Sequence, residues 1–364
     1  MCNLPRILAI LPNMSPLCFA PSRIAMATCL LAIIGGWASC SAPNANDTAP
    51  FSLSELVELP AHFPAFEEPA DNPLNAAKWE LGRLLFHDTR FSAANDVSCA
   101  SCHLAQFAMA DSLAVSLGTG GAPGFRNASA LFNMAWQPRF HREGGIPSLE
   151  TQILAPLQEP HEFDKDLMTL VAELSKDTGY HALSEEAFAR PFDAYVLTRA
   201  LAAFERTLIS GESPYDRWLL GDSSALSESA LRGQGLFDNL QCRSCHSGLW
   251  LTDFANHNIG LYQDNPDPGA YRLTLDSADL GKFKTPSLRN LAFSAPYMFD
   301  GSLSNLDEVL DHYEKGGMGH PNQDPRVFPI DLTSDERSDL LAFLAALNDT
   351  NFVVRTTRWV PCLE

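Results

Sequence analysis

Basic charge is scarce in this sequence. Its 364 residues hold 25 lysines and arginines against 44 acids, a formal net charge of −19. A surface of that sign repels nucleic acid and anionic membrane, so neither is expected as a partner; it suits a basic protein partner or plain solubility. Long apolar runs are scarce too. Residues 24–38 form one, following Arg23 and ending in small residues, and it reads as an export signal within residues 1–40 rather than a spanning helix. Ala38-Ser39-Cys40 reads as a lipoprotein cleavage site, with Cys40 as the residue that would carry the lipid anchor. Spare cysteines are missing as well. Cys2, Cys18, Cys29 and Cys40 lie in the leader, two short motifs take four more, and Cys362 is left alone. No disulfide framework is therefore expected, although an exported chain could form one. No β-rich segment stands out, and the fold class expected is mostly α with long loops.

Length and composition leave room for two domains, with 46% hydrophobic residues to build their cores. Residues 41–58 read as a linker rich in Ser, Asn, Asp and Ala. Asn75 to Phe86 has a helical apolar stripe of Trp79, Leu81, Leu84 and Leu85, and residues 164–175 and 192–209 read as amphipathic helices. The Gly-rich stretch 112–128 is a loop. A polar, turn-rich stretch at 210–224 divides the chain into a first domain over 59–222 and a second over 223–350, with 351–364 as a tail. The second half repeats the first. It opens with a helix over Ser227–Phe237, and Asn127–Glu150 matches Pro286–Asp307. Ser129 pairs with Ser287 and Pro138 with Pro296 at an offset of 158, then Gly144 pairs with Gly301 and Leu149 with Leu306 at 157. A helix over Ser334–Leu347 carries a capping box from Thr333 and Glu336.

Each half holds one C-x-x-C-H string: Cys99-Ala-Ser-Cys102-His103 and Cys242-Arg-Ser-Cys245-His246. That spacing lets two thiols form thioethers with the vinyl groups of a haem while the next residue reaches the iron from the same side. A zinc site would need a second ligand pair nearby, and none follows either string. Two covalently bound haem c groups are expected, and the group that fills the sixth position of each iron decides the function.

From roughly residue 65 to 350 the sequence resembles the bacterial di-haem cytochrome c peroxidases and their MauG- and MbnH-type relatives. The marks are Leu81-Gly82-Arg83-Leu84-Leu85-Phe86, Arg126-Asn127-Ala128, Leu149-Glu150-Thr151-Gln152, Thr285-Pro286-Ser287-Leu288-Arg289-Asn290 and Ala295-Pro296-Tyr297. The resemblance implies two tandem haem domains, the first meeting peroxide and the second storing or relaying an electron. It implies Gln152 as a hydrogen-bond donor to peroxide and Glu162, ten residues on, as the acid–base catalyst. Such a carboxylate moves a proton from the inner to the outer peroxide oxygen before the O–O bond breaks. His161 is the rival acid–base group. The resemblance places a Met or a Tyr sixteen residues after Tyr297 as the sixth ligand of the second haem; here that residue is Tyr313, with Met318 and Met298, then His312 and His320, as rivals. It also implies a calcium ion between the domains, held by Asn127, Ser294 and Pro296.

Two departures stand out. Thr119 replaces the His that blocks the first haem in reduction-activated peroxidases, so that haem is expected to be open at rest. Arg142 replaces the bridging Trp, which leaves electron flow to direct tunnelling or to another aromatic such as Trp136. The activity implied is reduction of hydrogen peroxide to water in the periplasm, with electrons from a small c-type cytochrome or cupredoxin. The alternatives are peroxide-dependent oxidation of a partner protein's side chains, or electron carriage without turnover. The oligomeric state is not readable from the sequence.

Overall fold

Asn75 starts the first helix by accepting a hydrogen bond from the Lys78 N–H at 2.8 Å, which satisfies one of the free donors of the opening turn. In the computed structural model, which describes residues 59–361, that helix is α1 (Ala76–Phe86). The export segment, Cys40, the linker and Cys362 lie outside the described residues. The first half continues through α2 (Leu167–Leu174), α3 (Thr178–Phe188) and α4 (Ala194–Arg206). The second holds α5 (Pro214–Leu219), α6 (Glu228–Asn239), α7 (Leu306–Lys315) and α8 (Ser334–Ala345), and α9 (Thr350–Arg358) closes the described chain. Between these helices run long loops, single turns and one two-residue antiparallel pair, β1 (Asn256–His257) with β2 (Phe283–Lys284). The architecture is mostly α, as the sequence implies. Among the described residues no helix is long and apolar enough to cross a membrane.

One helix crossing organises each half. In the first, α1 packs on α4 and buries Trp79, Leu81, Leu85 and Phe86 against Leu197, Ala200, Leu201 and Phe204. Gly82 permits the close approach, since a Cβ there would lie 2.0 Å from the Ala200 carbonyl oxygen. In the second, α6 packs on α8, and a Cβ on Gly233 would lie 1.9 Å from the Asp339 carbonyl oxygen. The expected capping box at Thr333 and Glu336 is present. α3 goes unanticipated because Gly179, Ser184 and two glutamates blur its stripe, yet Asp177 caps it firmly.

The repeat is visible in backbone conformation, and in a corrected register. Asn133 and Asn290, His141 and Met298, and Gly144 and Gly301 all adopt positive φ at a constant offset of 157. The bridges Phe140–Ile146 and Tyr297–Leu303 keep the same offset. Pro138 and Pro296 are therefore not equivalent, nor are Ser129 and Ser287; matching side chains gave an offset one residue too large. The two copies also exchange backbone hydrogen bonds: Asn127 N–H donates to Phe299 O at 2.8 Å, and Lys284 N–H donates to Arg142 O at 2.7 Å.

The first motif itself, Cys99–Cys102, forms one helical turn, which the apolar pattern does not announce. Two boundaries move. The chain enters the second core before residue 222, since Tyr215 of α5 is buried with Phe343 and Leu347 there. Residues 351–364, expected as a tail, instead supply most of α9, whose Phe352 is fully buried in the first core. Trp359 meets Trp79 edge-on at 5.4 Å, and its carbonyl accepts from Arg83 Nη1 at 2.9 Å.

Candidate haem sites and distal cavity

The two motif histidines are held alike. His103 leaves the Cys99–Cys102 turn with its N–H on the Cys99 carbonyl, and its Nδ1 lies 3.1 Å from Met109 O. The Nδ1 of His246 lies 3.2 Å from both Leu251 O and Pro286 O. A backbone carbonyl on Nδ1 fixes the tautomer and turns Nε2 outward as a ligand, the usual support of a metal-bound imidazole. Burial pushes both imidazoles down to about 4, so they stay neutral. Cys99, Cys102, Cys242 and Cys245 are unpaired thiols, each with its pKa raised first by burial. Two thiols beside a neutral imidazole with a free Nε2 fit covalent haem c in both halves. Thr356, Trp359 and Val360 help line a small cavity of about 130 Å³ at His103, so the end of the chain shelters the first motif.

On the other side of the first motif lies a cavity of about 400 Å³ that contains Cys99, Cys102 and His103 in its wall. Gln152 and Glu162 line it together. The Gln152 Oε1 is buried with no hydrogen-bond partner, a costly arrangement for a polar atom unless a ligand meets the amide. Glu162 opens onto the cavity. Enclosure by surrounding protein, then the charge of Glu159, raise its pKa, while Arg126 opposes them. Its backbone oxygen accepts from Thr119 N–H at 2.7 Å. The Thr119 hydroxyl bonds Ala94 N–H at 3.0 Å and Asp96 at 3.3 Å, and the residue does not line the cavity. His161 borders the cavity with its Nδ1 on Pro123 O at 3.0 Å and its ring 4.4 Å from Phe125.

The cavity wall also carries titratable residues that the sequence did not single out, Glu205 and His141 among them. Glu205 is only 3% exposed, and burial followed by the charge of Glu150 pushes its pKa up to about 8, against the pull of Arg206. A signal existed: Glu205 follows Leu197 and Leu201 on the apolar stripe of its helix. His141 also lines the cavity, with Nε2 3.3 Å from Gln152 O, and burial pulls its pKa down. Nothing in its sequence surroundings distinguished it.

The expected calcium set does not fit. Asn127, Ser294 and Pro296 do line one cavity, but so does Arg142. Its Nη2 donates to Asn127 O at 2.6 Å and to Asn127 Oδ1 at 3.0 Å, and its Nε donates to the same carbonyl at 3.2 Å. Both Asn127 oxygens, including the side-chain oxygen meant for the metal, are already bonded to a guanidinium.

At the second motif, Tyr313 on α7 is the candidate that faces the thiols. Burial, then the neighbouring Cys242 and Cys245, raise its pKa. Its rivals are placed elsewhere. Met318 is 56% exposed, Met298 lines the first cavity, the His312 Nε2 is 3.0 Å from Ile259 O, and the His320 Nδ1 accepts from Asn322 N–H. Between the halves, Trp136 and Trp250 stack at 4.5 Å and 25°, with Phe63 edge-on to both. Trp250 adjoins Leu251, whose carbonyl holds His246; Trp136 lies two residues from Met134 in the cavity wall.

A family model described as di-haem cytochrome c peroxidase matches residues 76–224. The chain is 39% identical over 337 residues to the methylamine utilization protein MauG of Methylorubrum extorquens, spanning 90% of this chain and 95% of that protein. It is 32% identical over 335 residues to the cytochrome-c peroxidase IdrP1 of Denitromonas iodatirespirans, spanning 82% and 88%. A solved MauG-like protein associated with microbial copper homeostasis matches with a TM-score of 0.77 at 34% identity, over 81% of this chain and 96% of that one.

Proposed function

Because this chain belongs to the di-haem cytochrome c peroxidase family, which includes MauG, and is an oxidoreductase with two haem c groups, we propose that it reduces hydrogen peroxide to water with electrons from a small periplasmic electron-transfer protein. One peroxide takes two electrons and two protons and yields two waters. The observation that carries this reading is the pairing of Gln152 and Glu162 in one cavity with the first motif, the amide oxygen without a partner and the carboxyl with a raised pKa.

When bound, haem supplies the redox chemistry; the residues supply proton handling and orientation. The Gln152 amide orients peroxide, its Nε2 donating to one peroxide oxygen and its unpartnered Oε1 accepting from a peroxide O–H. Glu162 takes a proton from one peroxide oxygen and returns it to the other, and its raised pKa favours holding that proton in between. Thr119, turned toward Ala94 and Asp96, leaves the cavity clear. A donor with a basic face suits the net charge of −19. Export to the periplasm, with or without a lipid on Cys40, belongs to this reading. Stopped-flow mixing of the di-haem protein with peroxide and a reduced c-type cytochrome tests it. Rapid donor oxidation is expected, and a protein inert to peroxide would sink the proposal.

A second reading, oxidation of a partner protein's side chains, draws on Tyr313. A phenolate ligand favours the ferric and higher states, so the second haem would store oxidising equivalents rather than accept donor electrons easily. Slow donor oxidation with persistent oxidised haem after peroxide would favour it.

A further inference from the structure

The seam between the two repeats is built around Asn127 and Arg142. The Asn127 N–H and the Arg142 carbonyl each pair with the opposite repeat, on Phe299 and Lys284. The Asn127 Nδ2 donates to Leu113 O at 3.1 Å, which fixes the amide so that Oδ1 faces Arg142. One residue thus turns both of its oxygens toward a single point, and neutral oxygens gathered that way call for a cation. A planar guanidinium meets them with three hydrogen bonds, from Nη2 to each oxygen and from Nε to the carbonyl.

The charges around this point favour a monovalent, covalently tethered cation over a divalent ion. Arg126 and Lys284 stand beside Arg142; burial first and then Arg142 pull the Lys284 ammonium down to about 8, and burial first and then Arg126 pull the Arg142 guanidinium down to about 10. The carboxylates that act on Arg142 are Asp300 and Glu143, and Glu143 is already paired with Arg126 at 2.6 Å. Adding two further positive charges to that neighbourhood would be repulsive.

We propose that the Arg142 guanidinium is the resident cation of this seam, and that the protein holds its two halves together there without calcium. The proposal does not depend on the peroxidase reading. Its test uses the purified di-haem protein, equilibrated with CaCl2 and then dialysed, followed by elemental analysis and thermal melting with EGTA or with CaCl2. No retained calcium and the same melting midpoint in both conditions are expected. Stoichiometric calcium, or a midpoint that falls in EGTA, would overturn it. In Arg142→Gln the Asn127 oxygens are released, and a melting midpoint that CaCl2 raises by about 5 °C is expected. A folded variant as indifferent to calcium as the parent would show that the guanidinium does not stand in a cation's place. Should the variant not fold, the parent's metal content and chelator response decide alone.

Discussion

The two halves hold the same motif in the same manner and then part company. Each turns a neutral imidazole outward by placing a backbone carbonyl on Nδ1. Beyond the first histidine the protein leaves a cavity with a carboxyl and an unpartnered amide oxygen; beside the second pair of thiols it sets a phenol. A repeat that keeps the same support for its histidines can therefore carry two different chemistries, because equivalent stretches, 149–162 in one half and α7 in the other, present different side chains.

That contrast can be broken at either end. The largest effect is expected at Glu162: Glu162→Gln should lower peroxide turnover by about 10²–10⁴-fold, with both haems still attached by mass spectrometry. Turnover near the parent rate would remove Glu162 from proton transfer. Next comes Tyr313→Met, which should raise the reduction potential of the second haem by on the order of 100 mV and leave the first unchanged, read by spectroelectrochemistry. An unchanged second potential would mean that Tyr313 does not reach the iron. Phe352→Ala, in α9, should cost about 3–5 kcal/mol in denaturant unfolding and disturb the optical spectrum of the first haem before the second. Disturbance of the second haem first would contradict the placement of α9.

The last is a change of slope with pH, at Glu205, with no loss at low pH. Its folded value of about 8 lies above the ordinary 4.5, so the folded state holds its proton more tightly than the unfolded chain does. Its contribution is fully present below about 4.5 and is lost as pH rises through 8, at most about 5 kcal/mol in all. Glu205→Gln should therefore flatten the fall in melting temperature between pH 5 and 8. An unaltered slope would show that the carboxyl is not titrating there.

The covalent attachment points are readable in the sequence because four cysteines and two histidines at that fixed spacing suit covalent haem and little else. The repeat is readable too, and the offset of 157 at Gly144 and Gly301 holds; the offset of 158 at Ser129 and Pro138 does not, since serines and prolines match by identity while the correspondence lies in positive-φ positions such as Asn133 and Asn290. Glu205 was readable in principle as an acid on an apolar stripe. The bond from Arg142 to Asn127 was not: it joins two residues fifteen apart across a turn, and only the folded backbone shows what the guanidinium reaches. The return of α9 to the first core was hidden for a similar reason, since nothing in a short amphipathic segment states which core it will join.

That return has a consequence for the order in which the molecule can be completed. Phe352 belongs to the first core, and Trp359 packs against that core and lines the shelter of His103, although both follow the whole of the second half in sequence. The first half is therefore not sealed until α9 has returned to it past the second. Attachment at Cys99 and Cys102 thus meets an open site for as long as α9 is undocked.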